Sequence, residues 1–410
     1  MDISLFKIEE PIVYYKSSEI MEELDDNSIQ LIITSPPYGK IKDYGSEDQI
    51  GFYDSFEDYF ERLNHVWSEC YRVLEPKCRM IINIGDQYLR TAKFGRYRIV
   101  SIASRIINDC LKIGFDYLGD IIWQKISTTN TTGGCSLMGS IYYPRNGLLT
   151  YDYEHILIFK KHIGTKKKID VQIKELSKIS LSEWKKWYVG HWKFPGIVQK
   201  EHIAMFPKEL PYRIIRMFSF IGDNVLDPFV GSGTTLKVAK SLFRKAIGYE
   251  LNKKFRVIIE NKINSAKKGL FRDFQYLLYI IFQKGKDENI EFDFEKQRQR
   301  GIVILKNNKN SEIVLDYMFF EDDIKNIEKI EREFTSKFEE NTIQNYLREK
   351  EGWKSAANYV IAVNSPDSKK REIMNIGKSA LSKYKYSKNL QLIHIHDLIS
   401  KELKISQLFE

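Results

Sequence analysis

A chain of 410 residues, 43% hydrophobic and 29% charged, is composed like a soluble globular protein and is long enough for two or three domains. It has no apolar run of membrane-spanning length, no leader-like start in Met1-Asp2-Ile3-Ser4, and no Cys-x-x-Cys pair among Cys70, Cys78, Cys110 and Cys135. Membrane, secreted, zinc-ribbon and disulfide-framework classes therefore drop out, and a cytoplasmic protein with reduced thiols is expected. The formal charge of +9 hints at a polyanionic partner.

Residues 1–28 read as a lead-in that turns through Leu24-Asp25-Asp26-Asn27-Ser28 into Ile29-Gln30-Leu31-Ile32-Ile33, a short buried strand. Thr34-Ser35-Pro36-Pro37-Tyr38 follows at once. The prolines end the strand and stiffen the backbone. A hydroxyl, a rigid turn and an aromatic ring are thus held at a strand's carboxyl end, the edge where open α/β sheets bind ligands. In such a turn Ser35 Oγ and the Pro36 carbonyl can accept hydrogen bonds from an amino group, while Tyr38 stacks on the ring that carries it. Taken alone the stretch is weak evidence, because most Pro-Pro pairs are plain turns. The polar segment from Gly39 to Gly51, with Lys40 and Lys42, reads as a lid or DNA-facing loop, or as a solvated connection.

Apolar spacing predicts a helix from Ser55 to Leu74, capped by Ser55 and ended by Glu75-Pro76. A strand over Arg79–Ile84, a helix over 97–113 and a strand over Leu118–Trp123 come next. This alternation argues for a parallel or mostly parallel sheet covered on both faces. Residues 124–152 are polar and aperiodic, and Glu154–Phe159 resumes a strand. Between Lys160 and Lys200 there are 11 lysines against three acids, together with Trp184, Trp187 and Trp192. Lysines reach phosphates and aromatic rings stack on bases; a solvated basic face over a small aromatic core is the alternative.

A helix over 207–221 leads to Asn224-Val225-Leu226-Asp227-Pro228-Phe229-Val230-Gly231-Ser232-Gly233-Thr234-Thr235. Here a buried strand ends at Asp227, a glycine loop follows, and a helix starts near Thr234. The glycines let backbone approach a ligand closely, but no lysine follows them and there is no Gly-x-Gly-x-x-Gly, which excludes the common polyphosphate loops. The next strand, Ala246-Ile247-Gly248-Tyr249, ends at Glu250, an acid placed to hold two ribose hydroxyls. The pocket reads as one for adenosine without a polyphosphate. Residues 252–285 read as helical. From about Ile290 the chain restarts, with strands near 302–305, 313–315, 359–363 and 390–395 and a charged helix over 322–338. With 21 basic and 20 acidic residues in 291–410, this tail is nearly neutral, so the positive excess lies upstream. Asp316, Asp322 and Asp323 read as solvated acids rather than metal ligands, and no metal site is expected.

The pairing of Thr-Ser-Pro-Pro-Tyr with Asp-Pro-Phe-Val-Gly-Ser-Gly-Thr-Thr resembles the amino-methylating DNA methyltransferases that use S-adenosylmethionine. The order, catalytic turn before cofactor loop, resembles their permuted β group, the N4-cytosine/N6-adenine type of restriction-modification systems. Val73-Leu74-Glu75-Pro76, Glu154-His155-Ile156-Leu157-Ile158-Phe159, His202-Ile203-Ala204-Met205-Phe206-Pro207 and Gly248-Tyr249-Glu250 fit further family blocks. The resemblance covers roughly residues 25–265. It implies a doubly wound, mostly parallel, Rossmann-like α/β fold with a catalytic half (1–124), a target-recognition region (125–200) and a cofactor-binding half (201–285). A small C-terminal domain of α and β elements (286–410) lies outside it.

The resemblance also implies roles. Ser35, Pro36, Pro37 and Tyr38 would be catalytic. S-adenosyl-L-methionine would be held by Thr34, Ser35, Phe206, Pro207, Asp227, Pro228, Phe229, Gly231, Ser232, Gly233, Thr234, Thr235, Glu250 and Leu251. Lys40, Lys166, Lys167, Lys168, Lys185, Lys186 and Trp187 would contact double-stranded DNA. A cognate restriction endonuclease is a further implied partner, and monomer and homodimer stay open. The reaction implied is methyl transfer to the exocyclic amine of a base drawn out of the duplex at a cost of a few kcal/mol. Bonds from the amine to Ser35 Oγ and the Pro36 carbonyl turn its lone pair toward the sulfonium methyl, a positioning effect worth on the order of 7–11 kcal/mol. Cytosine C5 chemistry needs a thiolate, in a family that places it after proline, and no cysteine here follows one. The Ser-Pro-Pro form favours N4-cytosine over N6-adenine by family correlation. A DNA-binding subunit without activity is the rival class, against which the intact turn and Glu250 stand.

Overall fold

The computed structural model describes residues 9–39, 43–89, 91–125, 138–139, 145, 147–149, 151–165, 167–170, 173–174, 177–179, 181–196, 206–268, 291–292, 303–306, 312–319, 326–339, 358–365, 369–384, 390–394, 397, 404 and 407. The chain divides into two compact units: residues 1–173 with 177–268, and 174–176 with 269–410. Among the described residues no helix is long and apolar enough to cross a membrane.

The first unit begins with β1 (Ile12–Tyr14) and β2 (Ile29–Thr34), followed by α1 (Phe56–Val73) and β3 (Leu74–Ile84). A short hairpin comes next: β4 (Gln87–Leu89), α2 (Thr91–Phe94) and β5 (Arg98–Val100). Then follow α3 (Ile102–Ile113), β6 (Phe115–Lys125), the small pair β7 (Met138–Gly139) and β8 (Gly147–Leu148), and β9 (Tyr153–Lys161). The unit closes with α4 (Leu181–Trp187), β10 (His191–Phe194), α5 (Glu209–Phe218), β11 (Asn224–Asp227), α6 (Thr234–Ser241), β12 (Lys245–Tyr249) and α7 (Arg256–Asn264). Eight of these strands form one sheet, in the order β1-β12-β11-β2-β3-β9-β6-β10. Every pairing is parallel except those of β9, which runs against β3 and β6.

Residues of alternate parity along the central strands explain why both faces are covered. Ile32 and Ile82 join Trp67 and Ile106 under α1 and α3, whereas Leu31, Ile33 and Ile81 join Ile214, Leu236 and Ile259 under α5, α6 and α7. A strand buried on both faces is mainly apolar, as β2 is apart from Gln30 and Thr34. Helix α1 starts where the sequence says: Ser55 Oγ accepts from the Asp58 amide at 3.1 Å and the Asp58 carboxylate accepts from the Ser55 amide at 3.3 Å.

The structure corrects several expected boundaries. Helix α1 ends at Val73 because Leu74 is already extended, and Glu75 and Pro76 belong to β3. The proline is tolerated there because the β2–β3 ladder is broken: Ile29 faces Leu74, but Leu31 faces Arg79. The helix predicted over 97–113 begins only at Ile102, since β5 pairs with β4 first. The lead-in contains β1, an edge strand beside β12 that three residues of pattern could not reveal. Strands β9 and β10 put part of the expected recognition region inside the central sheet. Of the expected 252–285 helix, α7 and flanking 3-10 turns at Lys253–Phe255 and Ser265–Lys268 are described; 269–285 lies outside the described residues. At the far side of the unit, Glu10 and Pro11 share a small cleft with Ile263 and Asn264.

The second unit is a five-stranded sheet in the order β13 (Glu291–Phe292), β14 (Val303–Lys306), β15 (Glu312–Phe319), β16 (Asn358–Asn364), β17 (Leu390–His394). The first two pairings are antiparallel and the last two parallel. Helices α8 (Ile327–Phe338) and α9 (Lys370–Ser382) pack Phe334, Phe338 and Ile373 on Val314, Tyr359 and Ile361. Helix α9 was missed in sequence, and α8 starts at Ile327 under an Asn326 cap rather than at Asp322.

Candidate active site

The two motifs of the sequence meet because β2 and β11 are neighbours, with Leu31 opposite Val225 and Ile32 opposite Leu226. Their carboxyl ends are locked together by the buried Thr34 hydroxyl, which donates to Asp227 Oδ1 at 2.8 Å across 193 residues of sequence. The same carboxylate oxygen accepts from the Phe229 amide at 3.1 Å and so starts the glycine loop. Burial pushes the Asp227 carboxyl up to about 7. Asp227 is 1% exposed and is not among the residues that line the cleft.

Above this lock lies an open cleft, with about 910 Å³ of space between its walls, including the solvent they enclose. Ser35, Pro37 and Tyr38 line one side; Pro228, Phe229, Gly231, Ser232 and Thr234 line the other. Phe206, Glu250 and Leu251 complete the expected lining. Thr34, Pro36, Pro207, Gly233 and Thr235 lie behind these residues. Glu250 sits at the end of β12, where its two oxygens accept from the amides of Gly231 and Asn252, each at 2.8 Å. Burial lifts its carboxyl from 4.5 to about 7, against the lowering effect of those two amides. Gly231 (φ +55°) and Gly233 (φ +85°) take left-handed backbone that a side chain would strain. Gly248 is needed for contact: a Cβ there would lie 2.1 Å from Val230 Cγ2.

The catalytic turn has a defined hydrogen-bond state. The Pro37 carbonyl accepts from Tyr59 Oη at 2.8 Å and the Tyr38 carbonyl from Gln87 Nε2 at 2.7 Å. Among the described residues no donor reaches the Pro36 carbonyl. Tyr38 Oη lies between Ser35 and Glu154, and burial raises its pKa well above that of a free phenol. Glu154 is itself held by Asn83 Nδ2 at 2.7 Å and by the Lys125 ammonium. A carboxylate only accepts, so Tyr38 donates to Glu154 and receives the Ser35 proton. That leaves the Ser35 lone pairs for an incoming N–H.

Sequence reasoning missed several residues of this site. Tyr44 accepts from the Tyr38 amide through its hydroxyl, and its carbonyl accepts from Asn252 Nδ2 at 2.7 Å, joining turn and Glu250 across the cleft. Lys16, Ser17 and Ser18 line the cleft because β1 delivers them to the same edge. The signal for Glu154 was present, as an acid opening an apolar strand, but nothing in sequence places it under Tyr38.

The expected DNA contacts are placed differently. Lys40 and Lys166 lie outside the described residues. Lys167 pairs with Glu75 at 3.3 Å, beside the start of β3. Because β9 is antiparallel, the residues after it emerge at the amino edge of the sheet, opposite the catalytic turn; Lys167 and Lys168 therefore cannot attend a base held at Ser35. Lys185 and Lys186 are exposed on α4, which is anchored to the last turn of α5 by Glu183–Arg216 and Tyr188–Met217. Trp187 is 4% exposed, its ring packed edge-on to Tyr212 under Arg216, and has no face for a base. Its assignment to DNA is corrected: it is a core residue.

An aromatic and apolar group (Phe206, Phe229, Phe255), a buried acid at a strand end and a glycine-lined wall thus share one cleft with the turn from Ser35 to Tyr38, at the carboxyl edge of a Rossmann-like sheet. Ser18, whose buried Oγ has no hydrogen-bond partner among the described residues, lines the same cleft. A family model described as DNA methylase, N6_N4_Mtase, matches residues 29–261. The type II methyltransferase M.MjaI of Methanocaldococcus jannaschii is 35% identical over 64% of this chain and 94% of its own. M.MthZI of Methanothermobacter thermautotrophicus is 33% identical over 74% of this chain and 94% of its own. The Thermus thermophilus protein TTHA0409, solved in complex with S-adenosyl-L-methionine, is 29% identical with a TM-score of 0.52, covering 62% of this chain and 94% of that one. The chain belongs to the N6/N4 amino-methylating DNA methylase family. Its cofactor is S-adenosylmethionine.

Proposed function

We propose that the chain is a site-specific methyltransferase of a restriction-modification system that methylates the N4 amine of cytosine in double-stranded DNA. The observation that carries the reading is the shared cleft, with Ser35, Pro37 and Tyr38 on one wall and Glu250 and the glycine loop on the other, closed beneath by Thr34–Asp227.

Glu250 accepts the ribose hydroxyls, the glycine loop backs the sugar and methionine chain, and Phe206, Phe229 and Phe255 flank the adenine. The bound cofactor supplies an electrophilic methyl on a sulfonium. The protein's part is to deliver the amine. The two N–H groups donate to Ser35 Oγ and the Pro36 carbonyl, which draws the nitrogen toward tetrahedral geometry and frees its lone pair. Tyr38, fixed by Glu154 and Gln87, offers its ring to the displaced base. After transfer the nitrogen is cationic and gives up a proton, which the Ser35–Tyr38–Glu154 chain can carry away from the cleft.

The serine at the head of the turn supports the cytosine assignment, through its association with N4 chemistry among similar turns. Nucleoside mass spectrometry of duplex DNA incubated with enzyme and cofactor tests it. N4-methylcytosine is the expected product; N6-methyladenine alone overturns the base assignment, and no methylated nucleoside overturns the reading.

A further inference from the structure

Beside the catalytic turn stands the hairpin β4–β5, which leaves the carboxyl end of β3 after only Gly85 and Asp86. Gln87 at its base is the residue bonded to the Tyr38 carbonyl. Between Gln87 and Val100 the sequence has Arg90, Lys93, Arg96 and Arg98 and no acid. Asp86, the nearest acid before it, is turned to the start of α3, where it accepts from the Ala103 amide at 3.1 Å.

Arg96 and Arg98 are exposed. Among the described residues neither forms an ion pair, which sets them apart from six other arginines of the unit, though Arg79 and Arg145 also lack one; Arg79 and Arg244 bond carbonyl or hydroxyl oxygens. Arg62, Arg72, Arg105, Arg213, Arg216 and Arg256 each lie against a carboxylate, of Glu19, Asp26, Asp109, Glu209, Glu183 and Glu260 respectively. Tyr97, between the two free arginines, turns its ring inward to Tyr88 at 6.1 Å, and Tyr88 meets Tyr151 at 5.4 Å. The Tyr151 amide also donates to Tyr88 Oη at 2.5 Å. These rings hold the hairpin against the loop that leads into β9 and Glu154, on the edge that carries the turn.

Resting on the function proposed above, we infer that Arg96 and Arg98 grip the phosphate backbone of the duplex next to the displaced base. Two unpaired, exposed guanidinium groups on a rigid, acid-free strip fit a polyanion. Their position at the turn makes the nearest phosphates those flanking the target nucleotide. Phosphate contacts of this kind fix register and carry no base information.

The test compares wild type with an Arg96→Gln/Arg98→Gln variant, using fluorescence anisotropy of a labelled duplex across a salt series. Each neutralised phosphate contributes about 0.9 to the slope of log affinity against log salt. The variant is expected to lose about 2 from that slope and to bind about 10-fold or more weakly at low salt, on matched and unrelated duplexes alike. Arg96→Lys/Arg98→Lys should retain the slope, and unchanged S-adenosylmethionine affinity certifies the fold. A wild type that binds and methylates the duplex, with an unchanged slope in the glutamine variant, overturns the inference alone. A wild type that binds no duplex overturns the inference and the proposed function together.

Discussion

The two edges of the central sheet invite comparison. The amino edge carries the lysines that dominate the sequence count, Lys167 and Lys168, and α4 with Lys185 and Lys186 is tied to the helix end on the same side. The carboxyl edge carries the β4–β5 hairpin, where Arg96 and Arg98 are exposed and form no ion pair among the described residues. Charge density along a chain and charge at a site are different quantities. One antiparallel strand, β9, is enough to direct Lys167 and Lys168 to the edge opposite the turn.

Four substitutions sharpen or break that contrast. The largest effect belongs to Ser35→Ala, which removes an acceptor used as charge develops on the amine. The single-turnover methylation rate should fall on the order of 10²–10³-fold, and a loss under threefold would show that the turn does not hold the amine.

Glu250→Gln comes next. Replacing a charged acceptor of ribose hydroxyls costs about 1.5–3 kcal/mol, or roughly 10–150-fold in S-adenosylmethionine affinity by calorimetry. The pH dependence has a definite sign. Burial raises the Glu250 carboxyl to about 7, so folding favours its protonated form. That stability is present below the ordinary carboxylate range and is lost as pH rises through about 7. Ribose hydroxyls donate to the ionised form, so cofactor affinity should climb with pH up to about 7 and then level, with proton release on binding. Buffers of different ionisation enthalpy give the same binding heat if no proton leaves, and that outcome would sink the assignment.

Glu154→Gln keeps the shape but removes the charge that orients Tyr38. The rate should drop about 10-fold, one charge-assisted hydrogen bond's worth, with DNA KM little changed. A rise in KM with constant kcat would instead make Glu154 a binding residue. The smallest effect is that of Lys185→Ala/Lys186→Ala, where DNA affinity and its salt slope should stay within error; a lost slope would return α4 to the DNA face.

Much of the architecture was legible in sequence because its cause is local. The Ser55 cap, the apolar run of β2, the Asp227 strand end and the glycine loop each write one physical requirement into a few adjacent residues. The joining of the two motifs was legible only through the resemblance, since no periodicity announces that Leu31 will face Val225. What escaped has a common cause. Strand β1 is three residues long, Tyr44 works through a backbone carbonyl and one hydroxyl, and the destination of Lys167 depends on strand polarity. Trp187 was misassigned because an aromatic among lysines looks the same in sequence whether it faces a base or the core.

The small cleft shared by Glu10, Pro11, Ile263 and Asn264 brings the start of the first unit beside its finish. Chain order is therefore a free variable for this pocket: joining those ends with a short linker and opening the unit at an exposed loop leaves every strand neighbour where it was. The cofactor loop could then precede the amine-holding turn along the polypeptide, and the same cleft would form from a reshuffled gene.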